Sequence, residues 1–129
     1  MKGNTGKPTT FLKKKADMPS RRLDRCHDGS GAIHWIGVLD GEAPGGDRLR
    51  FIHDDILPPG TSIGVHRHTD DREYYYIVSG RGVMTLDGRE YKVAAGDVTA
   101  VLPGGSHGLA NHSNENLRVI VISVAGGIL

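Results

Sequence analysis

The stretch that decides the fold is GVHRHTDDREYYYIVSG, residues 64–80. It places His66 and His68 one residue apart and follows them with Glu73 and three consecutive tyrosines. On a β-strand, side chains two residues apart project from the same face, about 6.5–7 Å from each other along the chain. The two imidazoles can therefore converge on one metal ion, and Glu73, at the start of the next predicted strand, can add an oxygen ligand. The alternative is a charged surface loop that happens to contain histidine, and the pair alone does not exclude it.

Outward from this stretch, the chain from Ile33 onward consists of short β-branched or aromatic runs bounded by glycine and proline. Such runs at short spacing predict an all-β sandwich or barrel. No stretch of ten residues has a 3.6-residue apolar period without glycine or proline inside it, which argues against helices. The nine candidate strands are residues 32–39, 48–57, 61–68, 73–80, 82–86, 90–94, 97–103, 107–112 and 117–125.

One turn between these strands has a specific predicted geometry. Asp87-Gly88 lies between the candidate strands 82–86 and 90–94. An Asp-Gly pair flanked by strands favours a type I′ turn, because both central residues of that turn need positive φ. The sequence therefore predicts a β-hairpin here.

Length and charge set the domain organisation. The 129 residues are enough for one hydrophobic core and too few for two, so a single domain is expected. Residues 1–25 contain eight Lys or Arg and two Asp, whereas residues 26–129 contain eight Lys or Arg and thirteen acids. We predict a basic N-terminal arm, partly ordered, over residues 1–25 and a single β-domain over residues 26–129.

Composition also limits the expected partners and compartment. The formal net charge of +1 gives no global reason to expect nucleic-acid binding. Cys26 is the single cysteine, so no intrachain disulfide can form and an oxidising compartment is not indicated. No apolar run approaches the ~20 residues of a membrane span, and the N-terminus lacks the apolar core of a signal peptide. We expect a cytoplasmic protein without a nucleic-acid or membrane partner.

Two segments of the chain resemble the paired motifs of the cupin superfamily. The first, GTSIGVHRHTDDREYYYIVSG at residues 60–80, fits the family motif at every fixed position. The second, GDVTAVLPGGSHGLAN at residues 96–111, fits except that Leu102 stands where the family usually has proline, and Pro103 follows directly. The spacing between the motifs is similar to that of bacterial single-domain members. The resemblance implies a single antiparallel jelly-roll β-barrel.

The same resemblance implies a metal centre. Carried over residue by residue, the two motifs make His66, His68, Glu73 and His107 the ligands of one divalent transition metal in the barrel mouth. Three imidazoles and a carboxylate suit several such metals, and cupins are most often found with manganese, iron, nickel or zinc. Four protein ligands on a metal that prefers six leave two positions for water, dioxygen or a bidentate substrate.

Other residues near the motifs are candidates for catalysis or substrate contact. His53 lies on the strand before the first motif and is a candidate base near the metal, the alternative being a surface histidine. Tyr75 shares the predicted face of Glu73 and can donate a hydrogen bond to a substrate oxygen, the alternative being packing in the barrel. Cys26 and His27 are adjacent on what we expect to be an extended chain, which argues against a thiol–imidazole pair.

The function implied by the resemblance is broad. Cupins include dioxygenases, decarboxylases, isomerases and lyases that chelate small oxygenated substrates at the metal. We therefore expect a metal-dependent enzyme acting on a small oxygenated metabolite, with the reaction class left open. The alternative is a non-catalytic module that binds or senses a metal or metabolite, since a fold does not determine a function. A purely structural role is disfavoured because all four ligand positions are filled.

The resemblance also bears on assembly. Single-domain cupins are commonly dimers whose N-terminal strands cross to the partner's sheet. Residues 32–39 and 117–125 are accordingly expected to pack at the two-fold interface of a homodimer. The expected partners are a second copy of this chain and a small-molecule substrate.

Overall fold

Ten β-strands and two short 3-10 helices make up the computed structural model, which describes residues 9–41 and 48–126. The helices span Lys15–Asp17 and Cys26–Asp28. None of the described helices has the length and apolar character that crossing a membrane requires. The strands are β1 (Ser20–Asp24), β2 (Ala32–Asp40), β3 (Leu49–Leu57), β4 (Ser62–Arg67), β5 (Asp71–Ser79), β6 (Arg81–Leu86), β7 (Arg89–Ala94), β8 (Val98–Val101), β9 (Ser106–Ala110) and β10 (Leu117–Ala125).

The strands form two antiparallel sheets. One has six strands in the order β1-β2-β3-β10-β5-β8, and the other has four in the order β4-β9-β6-β7. Strands far apart in the sequence are neighbours, since β10 lies between β3 and β5 and β9 pairs with β4. This arrangement is a jelly roll, which confirms the predicted fold class, and all nine predicted strands are present. Among the described strands the ladder does not close into a continuous barrel, and the two sheets pack face to face.

A hydrophobic core lies between the two sheets. Side chains alternate along a strand, and in β5 the inward residues Asp71, Glu73, Tyr75 and Ile77 are buried. Because two acids share this inward face with apolar residues, the core gives way to a polar site at one end of β5. The buried core residues are Ile33, Leu57, Ile63, Tyr75, Ile77, Met84, Val93, Leu109, Leu117, Val119 and Val121.

The first strand lies in the stretch predicted as a basic arm. β1 pairs antiparallel with β2, which places Arg21 opposite Trp35. Its sequence, SRRLD, has a single apolar side chain, so no hydrophobic alternation marked it as a strand. Pairing with β2 supplies the backbone hydrogen bonds that hold it. Residues 1–8 of the predicted arm lie outside the described residues.

The hairpin predicted at Asp87-Gly88 joins β6 and β7. Asp87 has a φ of 48° and Gly88 a φ of 83°, both in the left-handed region that a type I′ turn requires. The residues on either side, Leu86 and Arg89, pair across the turn, so the prediction is confirmed. Asp87 Oδ1 accepts a hydrogen bond of 2.9 Å from the backbone N–H of Ser106, which ties the turn to the start of β9.

Candidate metal centre

The four residues named by the two motifs lie together in the structure. His66 lies in β4, His68 directly follows that strand, Glu73 lies in β5 and His107 lies in β9. The β4–β9 register places His66 opposite His107. One ligand atom from each residue lies within 4.8 Å of all the others. Strands of both sheets therefore direct their side chains to one point.

The spacing of the four ligand atoms fits a single ion. His107 Nε2 lies 3.2 Å from His66 Nε2 and 3.1 Å from His68 Nε2. Glu73 Oε1 lies 3.0 Å from His107 Nε2, 3.4 Å from His68 Nε2 and 4.0 Å from His66 Nε2. Ligands about 2.0–2.2 Å from a metal are about 2.8–3.6 Å apart when adjacent and about 4 Å apart when opposite. The geometry and the donor atoms suit a divalent transition metal.

Hydrogen bonds outside the cluster orient two of its imidazoles. His66 Nδ1 donates to the carbonyl oxygen of Gly64 at 2.7 Å, and His68 Nδ1 donates to Asp71 Oδ1 at 2.9 Å. Because each Nδ1 carries the proton, each Nε2 presents a lone pair to the cluster. Lone pairs that face a carboxylate at this distance repel one another unless a cation lies between them. The tautomers therefore also fit a metal.

Burial keeps His66 in the form that binds metals. Its pKa is lowered to about 4, mainly by burial and also by three neighbouring histidines, while its backbone hydrogen bond acts in the opposite direction. Neutral imidazole is the ligating form. His107 is fully buried, and its ring packs against Tyr75 with the ring centroids 4.5 Å apart.

Asp71 holds His68 from the side remote from the cluster. Its Oδ2 atom accepts a hydrogen bond from Ser123 Oγ at 2.8 Å and pairs with Arg50 Nη1 at 2.9 Å. Burial raises the pKa of Asp71, but the hydrogen bonds from His68 and Ser123 and the charge of Arg50 outweigh it, so the net pKa is lowered. The carboxylate therefore stays charged and fixes the orientation of His68.

Replacing Asp71 by asparagine is expected to weaken metal binding about 10- to 100-fold, because His68 loses its charged hydrogen-bond acceptor. A competition titration with a chromophoric chelator measures the change in Kd. The matched control is Asp24→Asn, which removes a carboxylate from an exposed ion pair with Arg22 and should leave the metal affinity unchanged. Equal metal affinity in Asp71→Asn and wild-type protein would contradict the role of Asp71.

His27, which the sequence left without a role, stacks on His66. The two ring centroids are 3.6 Å apart and the ring planes differ by 13°. The chain here is a helical turn, not the expected extended segment, and His27 has a φ of 51°, which costs roughly 1–3 kcal/mol for a non-glycine residue. A Cβ at position 64 would collide with the His27 carbonyl oxygen. Gly64, a glycine inside a strand pattern, was the sequence signal for this close approach.

A cavity of about 240 Å³ borders the cluster on the inner face of the six-stranded sheet. Glu73 lines this cavity, and so do both candidate residues, His53 and Tyr75. Sequence reasoning did not place two further lining residues, Arg21 of β1 and Asp55 of β3. The walls also include Cys26, His27, Trp35 and Phe51. The cavity therefore touches the cluster through Glu73 and brings several polar groups to that side of it.

Burial sets the protonation of the groups in this cavity. It lowers the pKa of His53. Together with the charges of Asp54 and Glu73, it raises the pKa of Asp55 to about 7. It also raises the pKa of Tyr75 well above the usual value, again with a contribution from Glu73. A neutral His53 and a protonated Tyr75 are the forms present near neutral pH.

A larger cavity of about 380 Å³ lies at β6 and β7. Its lining includes Arg81, Lys92, Asp97 and His112, but none of the four converging residues. Cavity size therefore does not identify the functional site, whereas the convergence of ligand atoms does.

Comparisons with known proteins agree with this fold and site. The cupin domain family matches residues 54–123, which contain all four converging residues. The oxalate-binding protein of Thermotoga maritima is 30% identical over 124 residues, which are 96% of this chain and 98% of that protein. A dimethylsulfoniopropionate lyase of Ruegeria pomeroyi is 32% identical over 89 residues, 68% of this chain and 56% of the lyase. The crystal structure of a predicted oxalate decarboxylase from Thermotoga maritima, 28% identical, matches 90% of this chain and 100% of its own with a TM-score of 0.83.

Two packed antiparallel sheets around three histidines and a glutamate define the class of protein, a small jelly roll with a site suited to a metal ion. The family match spans more than half of the chain, and the oxalate-binding relative aligns with nearly all of it. This chain belongs to the cupin family.

Proposed function

We propose that this chain binds one divalent transition metal, manganese, iron, nickel or zinc, through His66, His68, Glu73 and His107. We propose further that it is an enzyme acting on a small oxygenated metabolite. The observation that carries the proposal is the convergence of four ligand atoms within 4.8 Å of one another, at the edge of a cavity of about 240 Å³. Four protein ligands leave two positions on a six-coordinate metal, as a catalytic site requires.

In this proposal the metal, Tyr75 and His53 have different roles in the reaction. A bound divalent metal supplies Lewis-acid polarisation of a substrate oxygen. Tyr75 keeps its proton at neutral pH; its hydroxyl group hydrogen-bonds to Glu73 in this structure and is the candidate donor to a substrate oxygen. His53 is neutral, has its Nε2 atom buried without a partner among the described residues, and serves as a base. The substrate decides whether the reaction is that of a dioxygenase, a decarboxylase, an isomerase or a lyase.

A small carboxylic acid is the substrate class that we favour. One relative is named for binding oxalate, and a carboxylate oxygen is a good ligand for each of the four metals. Arg21 adds a positive charge to the cavity wall, where its guanidinium carbon lies 4.5 Å from the centre of the Trp35 ring. An anionic ligand at the metal and a cation at the wall are electrostatically compatible.

The second candidate function is non-catalytic binding or sensing of a metabolite. The name of the oxalate-binding relative favours it, because that name refers to binding and not to turnover. The two functions use the same metal and the same cavity. They differ in whether the bound molecule is changed.

The test compares metal-loaded and metal-free protein against a panel of small carboxylates, keto acids, diketones and sugar phosphates. A ligand at 100 times its Kd adds about 2.7 kcal/mol of stability, so a carboxylate should raise the Tm of the metal-loaded protein and not of the metal-free protein. Each ligand that does so is then followed by NMR. Product formation supports the enzyme, and an unchanged bound ligand supports the sensing module. No metal uptake, or no shift with any ligand on loaded protein, contradicts the proposal.

We also propose a homodimer formed through the outer face of the six-stranded sheet. The two segments expected at the interface, β2 and β10, contribute Ile36, Ile120 and Ile122 to this face, beside Ile52 of β3 and Tyr76 of β5. These side chains are half-buried or exposed, and contiguous apolar surface of this kind is typical of protein–protein contacts. Light scattering should give twice the mass of one chain, and a monomer would exclude the dimer.

A further inference from the structure

Asp55 is a buried carboxyl group with one oxygen that has no hydrogen-bond partner. The residue is 4% exposed and lines the cavity that Glu73 also lines. Its Oδ1 atom is buried and makes no hydrogen bond to any described residue. In contrast, Asp54 accepts two hydrogen bonds from Arg118, at 2.9 and 2.7 Å, on the outer face. An unpaired buried polar atom destabilises a fold, so folding alone does not account for Asp55.

His53 lies two residues earlier on the same face of β3 and also has a buried polar atom without a hydrogen-bond partner. Its ring stacks on Phe51 with centroids 3.9 Å apart and meets the edge of Trp35 with centroids 4.9 Å apart. Its Nε2 atom is buried and has no partner in the described part of the chain. Residues two apart on one face are separated by about 6.5–7 Å along the strand, and both side chains line the same cavity.

A hydroxyl group can pair with either side chain. It is a donor and an acceptor, so it can donate to a carboxylate oxygen of Asp55 or to the Nε2 lone pair through which His53 acts as a base. A second carboxylate would bring a negative charge toward Asp55 and Glu73, and like charges repel strongly in a buried site. An alkyl group would leave both atoms unpaired. The chemistry of this pair selects a hydroxyl group.

The cavity has room for a ligand larger than oxalate. Its volume of about 240 Å³ corresponds to roughly eight water molecules at about 30 Å³ each. Oxalate has two carbons and four oxygens, and part of it would lie at the metal centre outside this volume. A ligand that fills the cavity therefore extends from the Glu73 side toward the wall that carries His53 and Asp55.

We propose that His53 and Asp55 form a subsite that binds the hydroxyl group of a small hydroxycarboxylic acid, while the metal centre holds its carboxylate. The inference rests on the proposed function, because it places the carboxylate at the metal. It names the substrate class more narrowly, as hydroxy acids and not simple carboxylic acids. A site built to bind a hydroxyl group discriminates against the analogue that lacks it, because its buried polar atoms are then left unpaired.

The experiment is calorimetric titration of the manganese-loaded protein with three matched pairs of acids. These are glycolate and acetate, 3-hydroxypropanoate and propanoate, and 4-hydroxybutanoate and butanoate. At least one hydroxy acid should bind about 10-fold or more tightly than its partner. In His53→Phe and in Asp55→Leu, which keep the bulk and remove the polar atoms, that ratio should fall toward one. A hydroxyl group that only contacts the metal keeps its advantage in both variants.

The control variant is His112→Phe, which changes an exposed histidine that follows β9 and should keep the wild-type ratio. Equal binding within all three pairs, or a ratio that survives in both subsite variants, overturns the subsite. Oxalate titration and metal content report separately on the proposed function. If oxalate binds but each hydroxy acid has the same affinity as its deoxy analogue, the subsite alone is wrong. If none of manganese, iron, nickel and zinc is taken up, the metal centre and the subsite both fail.

Discussion

His107→Ala is expected to reduce bound metal from about one ion per chain to less than about a tenth of that, since even losses outside the ligand set cost 10- to 100-fold in affinity. His107 Nε2 lies 3.0 to 3.2 Å from the ligand atom of each other member of the cluster. Its removal leaves two imidazoles and a carboxylate that no longer surround the ion. Elemental analysis after dialysis against metal-free buffer measures the loss, and His66→Ala should show it as well.

The control for this prediction is His112→Ala, which alters an exposed histidine and should leave one metal per chain. Circular dichroism should show that all three variants keep their β-structure, because none of them removes an apolar core residue. Full metal content in the double variant His66→Ala/His107→Ala would contradict the assignment of the metal site. Metal loss in His112→Ala would instead show binding at the surface.

Two different kinds of sequence information predict the four residues of the metal centre. Alternation along a strand places His66 and His68 on one face, and this follows from backbone geometry alone. His107 lies 34 residues after Glu73, and no local pattern says that β9 pairs with β4. Only the fixed spacing of the two cupin motifs joins them, since that spacing encodes the sheet topology.

Asp55 could not be placed from the sequence because both faces of β3 carry apolar residues. Phe51 and Leu57 lie on the face of Asp55, while Ile52 and Ile56 lie on the opposite face. Alternation therefore shows two faces but does not show which one points inward. The pairing of β3 with β2 and β10 decides this, and it depends on residues far away in the chain.

The backbone conformation around Cys26 could not be predicted from the sequence, for a different reason. Arg25, His27 and Asp28 all have positive φ, although none of them is glycine, and residue type rarely signals such a conformation. The resulting turn puts Cys26 at the cavity wall, where burial raises the pKa of the thiol to about 11. A thiol that stays protonated is a poor nucleophile, whereas the extended backbone expected at Cys26 and His27 is replaced by a helical turn.

Asp55→Asn is expected to stabilise the metal-free protein by about 4 kcal/mol above pH 7, at about 1.36 kcal/mol per pKa unit. The pKa of Asp55 in the folded protein is about 7, against an ordinary value of 3.8. Between these pH values the folded protein holds a proton that the unfolded chain has released. Wild-type stability should therefore fall as the pH rises from about 4 to about 7 and stay low above it. Asparagine has no such proton, so the gain should be small near pH 4 and largest at pH 8.

Urea unfolding at pH 4.5, 6 and 8 in the presence of a chelator measures this difference. The matched control is Asp54→Asn, which breaks the bidentate pair with Arg118 and should destabilise the protein by about 1 kcal/mol. Replacing the two adjacent aspartates should thus change the free energy of unfolding in opposite directions. Unfolding curves for Asp55→Asn that match wild type at every pH would show that Asp55 ionises alike in the folded and unfolded chain.

The sign of this effect bears on function as well as on folding. A buried carboxyl that lowers stability by several kcal/mol is retained only if the folded protein uses it, because natural chains hold little excess stability. Asp55→Leu removes both the unpaired oxygen and the hydrogen-bonding capacity of the subsite. This one variant should therefore be more stable than wild type and less able to distinguish a hydroxy acid from its deoxy analogue. A variant that gained stability and kept the discrimination would separate the two roles and leave Asp55 without a part in binding.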